Sequence, residues 1–191
     1  MAWSFPVSIN LHEATAFAKW KSLQSGKELR VMTELEHRAI RDPLPFAPMG
    51  FVKDPVVFGS PYNHNLKHGS QSPVNELPAN TKGFFDVLGN AWDWTQDYFS
   101  ALPGFKIHPL YEDFSTPCFD GRHNVIMSGS FISTGDEASS FSRFHFRPHF
   151  LQHASFRLVE VDPNVPLVTS DTDAPGPFRG STYPFRKSST A

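Results

Sequence analysis

The chain has 191 residues, of which 39% are hydrophobic and 14% aromatic, enough to bury the core of one soluble globular domain. A formal net charge of -2 gives no overall attraction for nucleic acid or anionic lipid, so a cationic site must be local. The single cysteine, Cys118, excludes an intrachain disulfide framework and a zinc cluster of several thiolates.

Proline and phenylalanine are abundant and long helical periodicity is scarce. This composition predicts a loop-rich α+β fold with few, short helices. No apolar stretch is long enough for a signal core or a membrane span, so we expect a cytoplasmic protein in a reducing compartment.

The first predicted element is a helix. Asn10 followed by Glu13 has the spacing of a capping box, and Gly26 is placed to end a helix that runs to about Leu23. The side chains expected to face the core are Ala14, Phe17 and the aliphatic stem of Lys21.

A short strand and a second helix are predicted next. Residues 29–32 have a strand pattern, and Thr33 with Glu36 repeats the capping signal. The dipeptide Asp42–Pro43 should stop this helix, because the residue before proline disfavours the helical conformation.

Three further segments complete the predicted outline. Residues 43–78 are rich in Pro, Gly, Asn and Ser and should be irregular, whereas residues 124–132 return to a strand pattern. Residues 162–191 have little to bury and are predicted to form a disordered tail rich in Pro, Ser and Thr. The predicted domain therefore comprises residues 1–161.

The segment GFFDVLGNAWDWTQDYF, residues 83–99, combines a turn with a strand. Gly89–Asn90 can adopt positive φ, and Trp92 and Trp94 have the spacing that puts both indoles on one buried face. The same segment offers oxygen ligands that would suit a structural calcium ion, although a turn stabilised by polar side chains explains them equally well. The candidate calcium ligands are Asp86, Asn90, Asp93 and Asp97.

A second segment, residues 141–157, is rich in arginine and histidine. Strict alternation places Arg143, His145 and Arg147 on one side of a strand and Phe144 and Phe146 on the other. A cationic face backed by an aromatic core suggests an anion site, because the fork of donors on arginine matches a carboxylate. The alternative is a solvated basic strand with no ligand.

Two histidine patterns resemble helical metal sites but lack the context for one. His64 and His68 are four residues apart, yet the surrounding Asn, Gly and Pro residues disfavour a helix. His145, His149 and His153 share this spacing, but Pro148 would interrupt the helix.

Four segments together resemble the formylglycine-generating-enzyme type of domain, which has a C-type-lectin-like fold. They are TELEHRAIRD, NLKHGSQSPVN, GFFDVLGNAWDWTQD and the stretch from His108 to Leu158. The likeness covers residues 5–159. The last stretch is similar to 5-histidylcysteine sulfoxide synthase of ovothiol biosynthesis, a family that uses non-haem Fe(II) and dioxygen to join cysteine sulfur to the histidine imidazole.

The resemblance implies roles for particular residues. Tyr98 matches a tyrosine that donates a proton or hydrogen bond to the oxygen species, with an amphipathic core-edge aromatic as the alternative. The strand carrying Arg143, His145, Arg147 and His149 would hold the charged groups of the cysteine and histidine substrates. Gly135, Asp136 and Glu137 could meet a substrate ammonium, although exposed acids in a turn are the commoner explanation. Cys118 is expected to be a small buried hydrophobe.

The resemblance also implies a missing part. The family holds iron with an HxxxHxE motif and a further histidine of a DinB-like domain, and this chain has Ser70 where the motif after His64 and His68 requires glutamate. We therefore expect a fragment or truncated product that is inactive without such a domain on a longer chain or a second polypeptide. The alternatives are a non-catalytic ligand-binding module and, less favoured, a formylglycine-generating oxidase, whose copper chemistry requires two cysteines.

Overall fold

In the part of the chain that the structure describes, the regular structure consists of two α-helices, one mixed four-stranded sheet and one antiparallel two-stranded sheet. The computed structural model describes residues 3–42, 61–108, 110 and 116–170. The helices are α1 (Leu11–Ser25) and α2 (Glu34–Ala39), and the strands are β1 (Leu29–Val31), β2 (Trp92–Tyr98), β3 (Asn124–Met127), β4 (Arg143–Phe146), β5 (Ala154–Phe156) and β6 (Leu158–Glu160). Single 3-10 turns lie at Thr116–Cys118 and Gly135–Ala138.

The larger sheet has the strand order β4-β3-β2-β5. β3 is antiparallel to both β2 and β4, whereas β5 runs parallel to β2. The smaller sheet pairs β1 with β6 in antiparallel register. The fold is thus loop-rich α+β with few helices, as the composition predicts. In the described part of the chain, neither helix has the length and apolar character needed to cross a membrane.

Both helices begin where the capping signals predict. Asn10 and Thr33 each form a complete capping box, and Gly26 ends α1 with a left-handed φ of 69°. The predicted core face of α1 is partly wrong, because Leu11, Ala14 and Ala18 are its buried side chains. The ring of Phe17 is 43% exposed and packs at the edge of the core, and the stem of Lys21, one turn further along, is exposed.

One face of the larger sheet carries the main apolar core. Trp92, Trp94 and Ile126 pack there against Leu11 and Ala14 of α1. The indole nitrogen of Trp94 is satisfied by the carbonyl oxygen of Ile9 at 2.8 Å. The two indoles therefore share one buried face, as their spacing predicts. Phe144 and Phe146 pack against the same core, which confirms the predicted alternation in β4.

The opposite face of the sheet is polar around α2 and apolar around a second cluster. Asp93 and Asp97 alternate with the tryptophans along β2 and are buried beneath α2. Val125 and Met127 of β3 pack with Phe99 and a loop residue, Phe119. This face therefore positions the buried carboxylates of Asp93 and Asp97 next to α2.

Backbone conformation fixes the turn before β2 and the end of β3. Gly89 and Asn90 have φ values of 77° and 65°, which confirms the predicted turn. β3 is shorter than predicted, because Ser128 and Gly129 have φ values of 91° and 70° that end extended pairing. Residues 61–78 contain no helix or strand, as expected, and residues 43–60 of the predicted irregular segment lie outside the described residues.

The segment after β6 includes a residue that is anchored in the core of the domain. Residues 162–170 form turns and extended chain, and Ser170 is buried. Its backbone N–H donates to Asp97 Oδ1 at 2.6 Å, and its hydroxyl donates to Glu34 Oε2 at 2.7 Å. The predicted tail therefore starts with a stretch that contacts the core, and residues 171–191 lie outside the described residues.

Candidate functional site

A buried polar cluster lies between α2 and β2. The His37 ring is fully buried, and its Nδ1 accepts from Arg41 Nε at 3.1 Å. Because arginine can only donate, the proton of this imidazole must be on Nε2. Nε2 lies 3.0 Å from Asp93 Oδ2 and 2.8 Å from Ser128 Oγ. His37 is therefore a neutral donor that links the central strand to the turn after β3.

The charges in this cluster are arranged to keep Asp93 ionised. Arg157 Nε donates to Asp93 Oδ2 at 2.7 Å, beside the bond from His37. Burial opposes ionisation, but Arg157 and the hydrogen bond from His37 outweigh it and lower the pKa of Asp93 to about 2. Burial lowers the pKa of His37 to about 4.

A second buried group surrounds Glu34. This carboxylate receives Arg143 Nε at 2.9 Å, Arg38 Nη2 at 2.8 Å and the hydroxyl of Ser170. Burial raises the pKa of Glu34, but the positive charge of Arg143 and these hydrogen bonds more than offset it, so the pKa is lowered overall. Arg143 also donates to the Ser100 carbonyl at 2.8 Å and lies over the ring of Phe99. The structure thus places this predicted substrate-binding arginine in an internal ion pair.

The pairing of β2, β3 and β4 brings most of the other predicted site residues to one end of the larger sheet. Tyr98 pairs with Asn124, and Asn124 pairs with Phe146, so we call this region the Tyr98 end. Arg147 follows β4 there and is exposed. His149 is also exposed and lies in the turn closed by the bond from Phe150 N to Arg147 O at 3.0 Å.

His145 is half-buried, in contrast to Arg147 and His149. Its ring lies 4.2 Å from the ring of Phe99 and 5.1 Å from that of His123, measured between centroids. Its Nδ1 is sealed from solvent and has no hydrogen-bond partner among the residues described. Burial and the nearby His123 lower the pKa of His145 to about 4, so this imidazole is neutral at pH 7.

Next to His145 the structure assembles a group that the sequence did not suggest. One ligand atom each from Cys118, His123 and His145 lie within 4.8 Å of one another. His123 Nδ1 is 2.9 Å from Asp120 Oδ1. Burial raises the pKa of the Cys118 thiol. This side chain packs beside Phe99 and Phe119 but is only half-buried, so the prediction of a buried small hydrophobe is only partly met.

A cleft of about 340 Å³ opens beside the turn before β2. Phe84, Phe85, Asp86, Asn90, Phe156 and Arg157 contribute to its walls, and we call it the GNAWDW cleft. Burial raises the pKa of Asp86, and Arg157 Nη2 donates to the Asp86 carbonyl at 2.7 Å. Sequence reasoning missed this cleft, although the aromatic pair Phe84–Phe85 next to Asp86 was a visible signal.

The predicted calcium ligands do not share one site. Asn90 Nδ2 donates to Asp86 Oδ2 at 3.1 Å, whereas Asp93 accepts from His37 and Arg157. Asp97 accepts from the backbone of Glu34, at the start of α2, and from Ser170. The expected convergence of these oxygens is not met, because internal donors engage them separately.

The histidines with four-residue spacing do not lie on helices, as the residues around them predict. His64 lies in a turn, is buried, and places Nε2 3.0 Å from the Ser128 carbonyl oxygen, whereas His68 is exposed. His145 lies in β4 and His153 just before β5.

Comparison with known proteins places this architecture in a family. Residues 5–161 match the family described as the sulfatase-modifying factor enzyme 1-like domain. The chain belongs to this family. The match confirms the formylglycine-generating-enzyme type of fold that the four motifs imply, and it covers both sheets and both helices of this sulfatase-modifying factor domain.

Two curated relatives are similar to part of this chain. A hercynine oxygenase of Mycobacterium tuberculosis is 28% identical over 128 residues, 64% of this chain and 28% of that protein. Ergothioneine biosynthesis protein 1 of Schizosaccharomyces pombe is 38% identical over 76 residues, 39% of this chain and 10% of that protein. The chain therefore spans less than a third of the length of these relatives.

Solved structures show the same fold at low identity. PvdO from Pseudomonas aeruginosa has a TM-score of 0.56 at 20% identity, covering 80% of this chain and 60% of that chain. Treponema denticola variable protein 1 has a TM-score of 0.64 at 17% identity, covering 81% of this chain and 70% of that chain.

Proposed function

We propose that this domain is the substrate-binding part of a sulfoxide synthase that joins the sulfur of cysteine to the imidazole of histidine, as in ovothiol biosynthesis. The observation that carries the proposal is the 128-residue match to a hercynine oxygenase within a sulfatase-modifying factor domain. A sulfoxide synthase of this kind uses non-haem Fe(II) and dioxygen. Histidine is the favoured second substrate, with hercynine, its α-trimethylammonium form, as the nearest competitor.

The described residues do not fit the family's iron motif. His64 is buried against the Ser128 carbonyl and His68 is exposed, and the two lie in a turn where a helix would be needed to align them. We therefore assign the iron ligands to a DinB-like domain, on a longer chain or a separate polypeptide, and expect the isolated domain to be inactive. The residues of this chain then have the task of binding and orienting substrates.

The Tyr98 end is the proposed substrate surface. Arg147 and His149 are exposed and close together after β4, so they can meet a substrate carboxylate with charge-assisted hydrogen bonds. Tyr98 lies at the same end and can donate its phenolic proton or a hydrogen bond. Arg143, held by Glu34, fixes the start of β4 and acts on substrate only through the position of that strand.

Binding of free amino acids tests this surface. We expect the Arg147→Ala variant to bind histidine at least tenfold more weakly, because one hydrogen bond to a charged group contributes about 1.5 kcal/mol or more. Isothermal titration of the purified chain with histidine, cysteine and hercynine measures the change. Lys19→Ala is the control, since Lys19 is an exposed cation on α1, away from the Tyr98 end. Equal affinities for wild type and Arg147→Ala would remove the proposed surface.

Turnover tests the enzymatic part of the proposal. With Fe(II), cysteine and histidine present, oxygen consumption should require an added DinB-like domain, and Tyr98→Phe should lower sulfoxide formation in that mixture. Oxygen consumption by this chain alone would contradict the assignment of the iron ligands to another domain.

A second candidate is a non-catalytic ligand-binding module, favoured by the GNAWDW cleft. Its aromatic walls and Asp86 suit a cationic or aromatic ligand of amino-acid size. In the same titrations, loss of binding in Phe84→Ser but not in Arg147→Ala would select this candidate. A formylglycine-generating oxidase is less favoured, because this chain has a single cysteine where that chemistry requires two.

A further inference from the structure

Three side chains outside the buried ion pairs of Glu34 and Asp93 meet at the Tyr98 end. Cys118 comes from a 3-10 turn, His123 from the loop before β3 and His145 from β4. One ligand atom from each lies within 4.8 Å of the others. Residues from three separate elements, 27 positions apart at the extremes by their numbers, are thus brought to one point.

A hydrogen bond to Asp120 fixes the orientation of the His123 ring at this point. Its Nδ1 is 2.9 Å from Asp120 Oδ1, and the same oxygen accepts from the backbone N–H of Arg122 at 2.8 Å. Pairing Nδ1 with a carboxylate leaves Nε2 as the nitrogen available to a ligand. Metal-binding histidines commonly have such a carboxylate behind the ring, where it fixes the tautomer and raises the basicity of the imidazole.

His145 supplies an independent observation. Its Nδ1 is sealed from solvent without a hydrogen-bond partner among the described residues, although a buried polar atom of this kind normally has one. An unsatisfied nitrogen in a group that unites one thiol and two imidazoles is explained if the group binds something that accepts lone pairs.

We propose that Cys118, His123 and His145 form a binding site for a zinc ion. One thiolate and two imidazoles are the donor set that zinc prefers, whereas calcium and magnesium take oxygen ligands. Zinc binding would bring the ligand atoms to about 3.5 Å from one another, which small rotations of the half-buried Cys118 and His123 can supply. The charge also balances, since a Cys118 thiolate and the Asp120 carboxylate offset the two positive charges.

This site is separate from the proposed iron centre and lies beyond the proposed function. Three protein ligands leave the fourth tetrahedral position to water or an added ligand. As a zinc ligand, His145 would stabilise the Tyr98 end, replacing the substrate contact predicted for it from the sequence. Zinc binding needs no amino-acid substrate to be measured, so either proposal can fail without the other.

Spectroscopy with cobalt(II) and competition by zinc test the site directly. The reduced wild-type chain should bind one Co²⁺ with a thiolate-to-metal charge-transfer absorption, and one equivalent of Zn²⁺ should abolish that absorption. Cys118→Ser should remove the absorption, and His123→Gln and His145→Gln should each weaken binding at least about a hundredfold. Asp120→Asn should weaken zinc binding about 10–100-fold, the range for carboxylates that orient a metal-bound histidine.

The controls use side chains close to the site. His149→Gln changes an exposed histidine on the same segment and should leave cobalt binding unchanged. Because Cys118 is the only thiol, zinc should also protect the wild-type chain from alkylation, a readout that requires no variant to fold. The site is ruled out if Cys118→Ser keeps the absorption, if zinc does not slow alkylation, or if His149→Gln lowers affinity as much as His145→Gln.

Discussion

The imidazole of His37 illustrates how the burial of a single side chain makes the stability of the domain depend on pH. Its pKa is about 4, against an ordinary value of 6.5, because burial disfavours the charged form. The unfolded chain therefore takes up a proton as the pH falls below about 6.5, whereas the folded chain does so only near 4. Stability that is present above pH 6.5 is thus lost as the pH falls through this range.

We predict that the free energy of unfolding falls between pH 6.5 and 4, with each buried neutral histidine contributing up to about 1.4 kcal/mol per pH unit. His37→Gln should make this slope shallower without abolishing it, since His145 has a pKa shifted in the same direction. Urea denaturation at pH 7, 6 and 5 measures the slope. His149→Gln, which changes an exposed ring, serves as control, and an unchanged slope in His37→Gln would contradict the prediction.

The pattern of residue types correctly predicted on which face of a strand each side chain lies, but it did not predict which distant residue that side chain contacts. Alternation along β4 was enough to place Phe144 in the core and Arg143 on the other face. Nothing local indicates that Arg143 pairs with Glu34, because the two residues are 109 positions apart and meet only after the sheet has formed. The grouping of Cys118 with His123 and His145 was invisible for the same reason.

At the scale of helices and strands, the signals that predicted the structure correctly were those between residues close together in the sequence. Both capping boxes could be read from the sequence because each involves residues only three positions apart. The length of β3 could not be read from the sequence, because hydrogen bonds of the Ser128 side chain with His37 and Val87 impose the positive φ that ends the strand.

The turn before β2 provides a test at this scale. A Cβ on Gly89 would lie 2.6 Å from the Asn63 carbonyl oxygen, whereas a Cβ on Gly104 would meet nothing within 4 Å. Both glycines have positive φ, so alanine costs roughly 1–2 kcal/mol at either position, and Gly89→Ala adds steric overlap.

We therefore expect Gly89→Ala to lower the free energy of unfolding by at least about 1 kcal/mol more than Gly104→Ala. Urea denaturation of the two variants provides the comparison. Equal losses would show that the turn can move away from Asn63.

At the scale of the whole molecule, the predicted domain boundary coincides with the end of the family match, yet one residue beyond it contacts the core. The predicted limit at residue 161 excludes Ser170, which is buried against Glu34 and Asp97. Composition could not show this, because the segment has few apolar residues and docks through hydrogen bonds. The overall fold, by contrast, followed from motifs spread over the chain and is confirmed by the family match over residues 5–161.

A pair of truncations tests this boundary. A chain ending at residue 161 should be about 1–3 kcal/mol less stable than one ending at residue 170, because Glu34 and Asp97 lose buried donors. Guanidinium denaturation of both chains measures the difference. Ser170→Ala in the full chain should show the part due to the hydroxyl alone, and equal stability of the two truncations would show that residues 162–170 are dispensable.

The pairing of β1 with β6 has a consequence for how the protein is made. Val31 and its neighbours emerge from the ribosome early, but their partners at Leu158–Glu160 are synthesised roughly 130 residues later. At about 5–20 residues per second, the first strand waits roughly 6–26 s for its partner. During that interval α1 has no completed sheet against which to bury Leu11 and Ala14. The nascent domain is therefore a candidate client for chaperones that bind exposed apolar helices during translation.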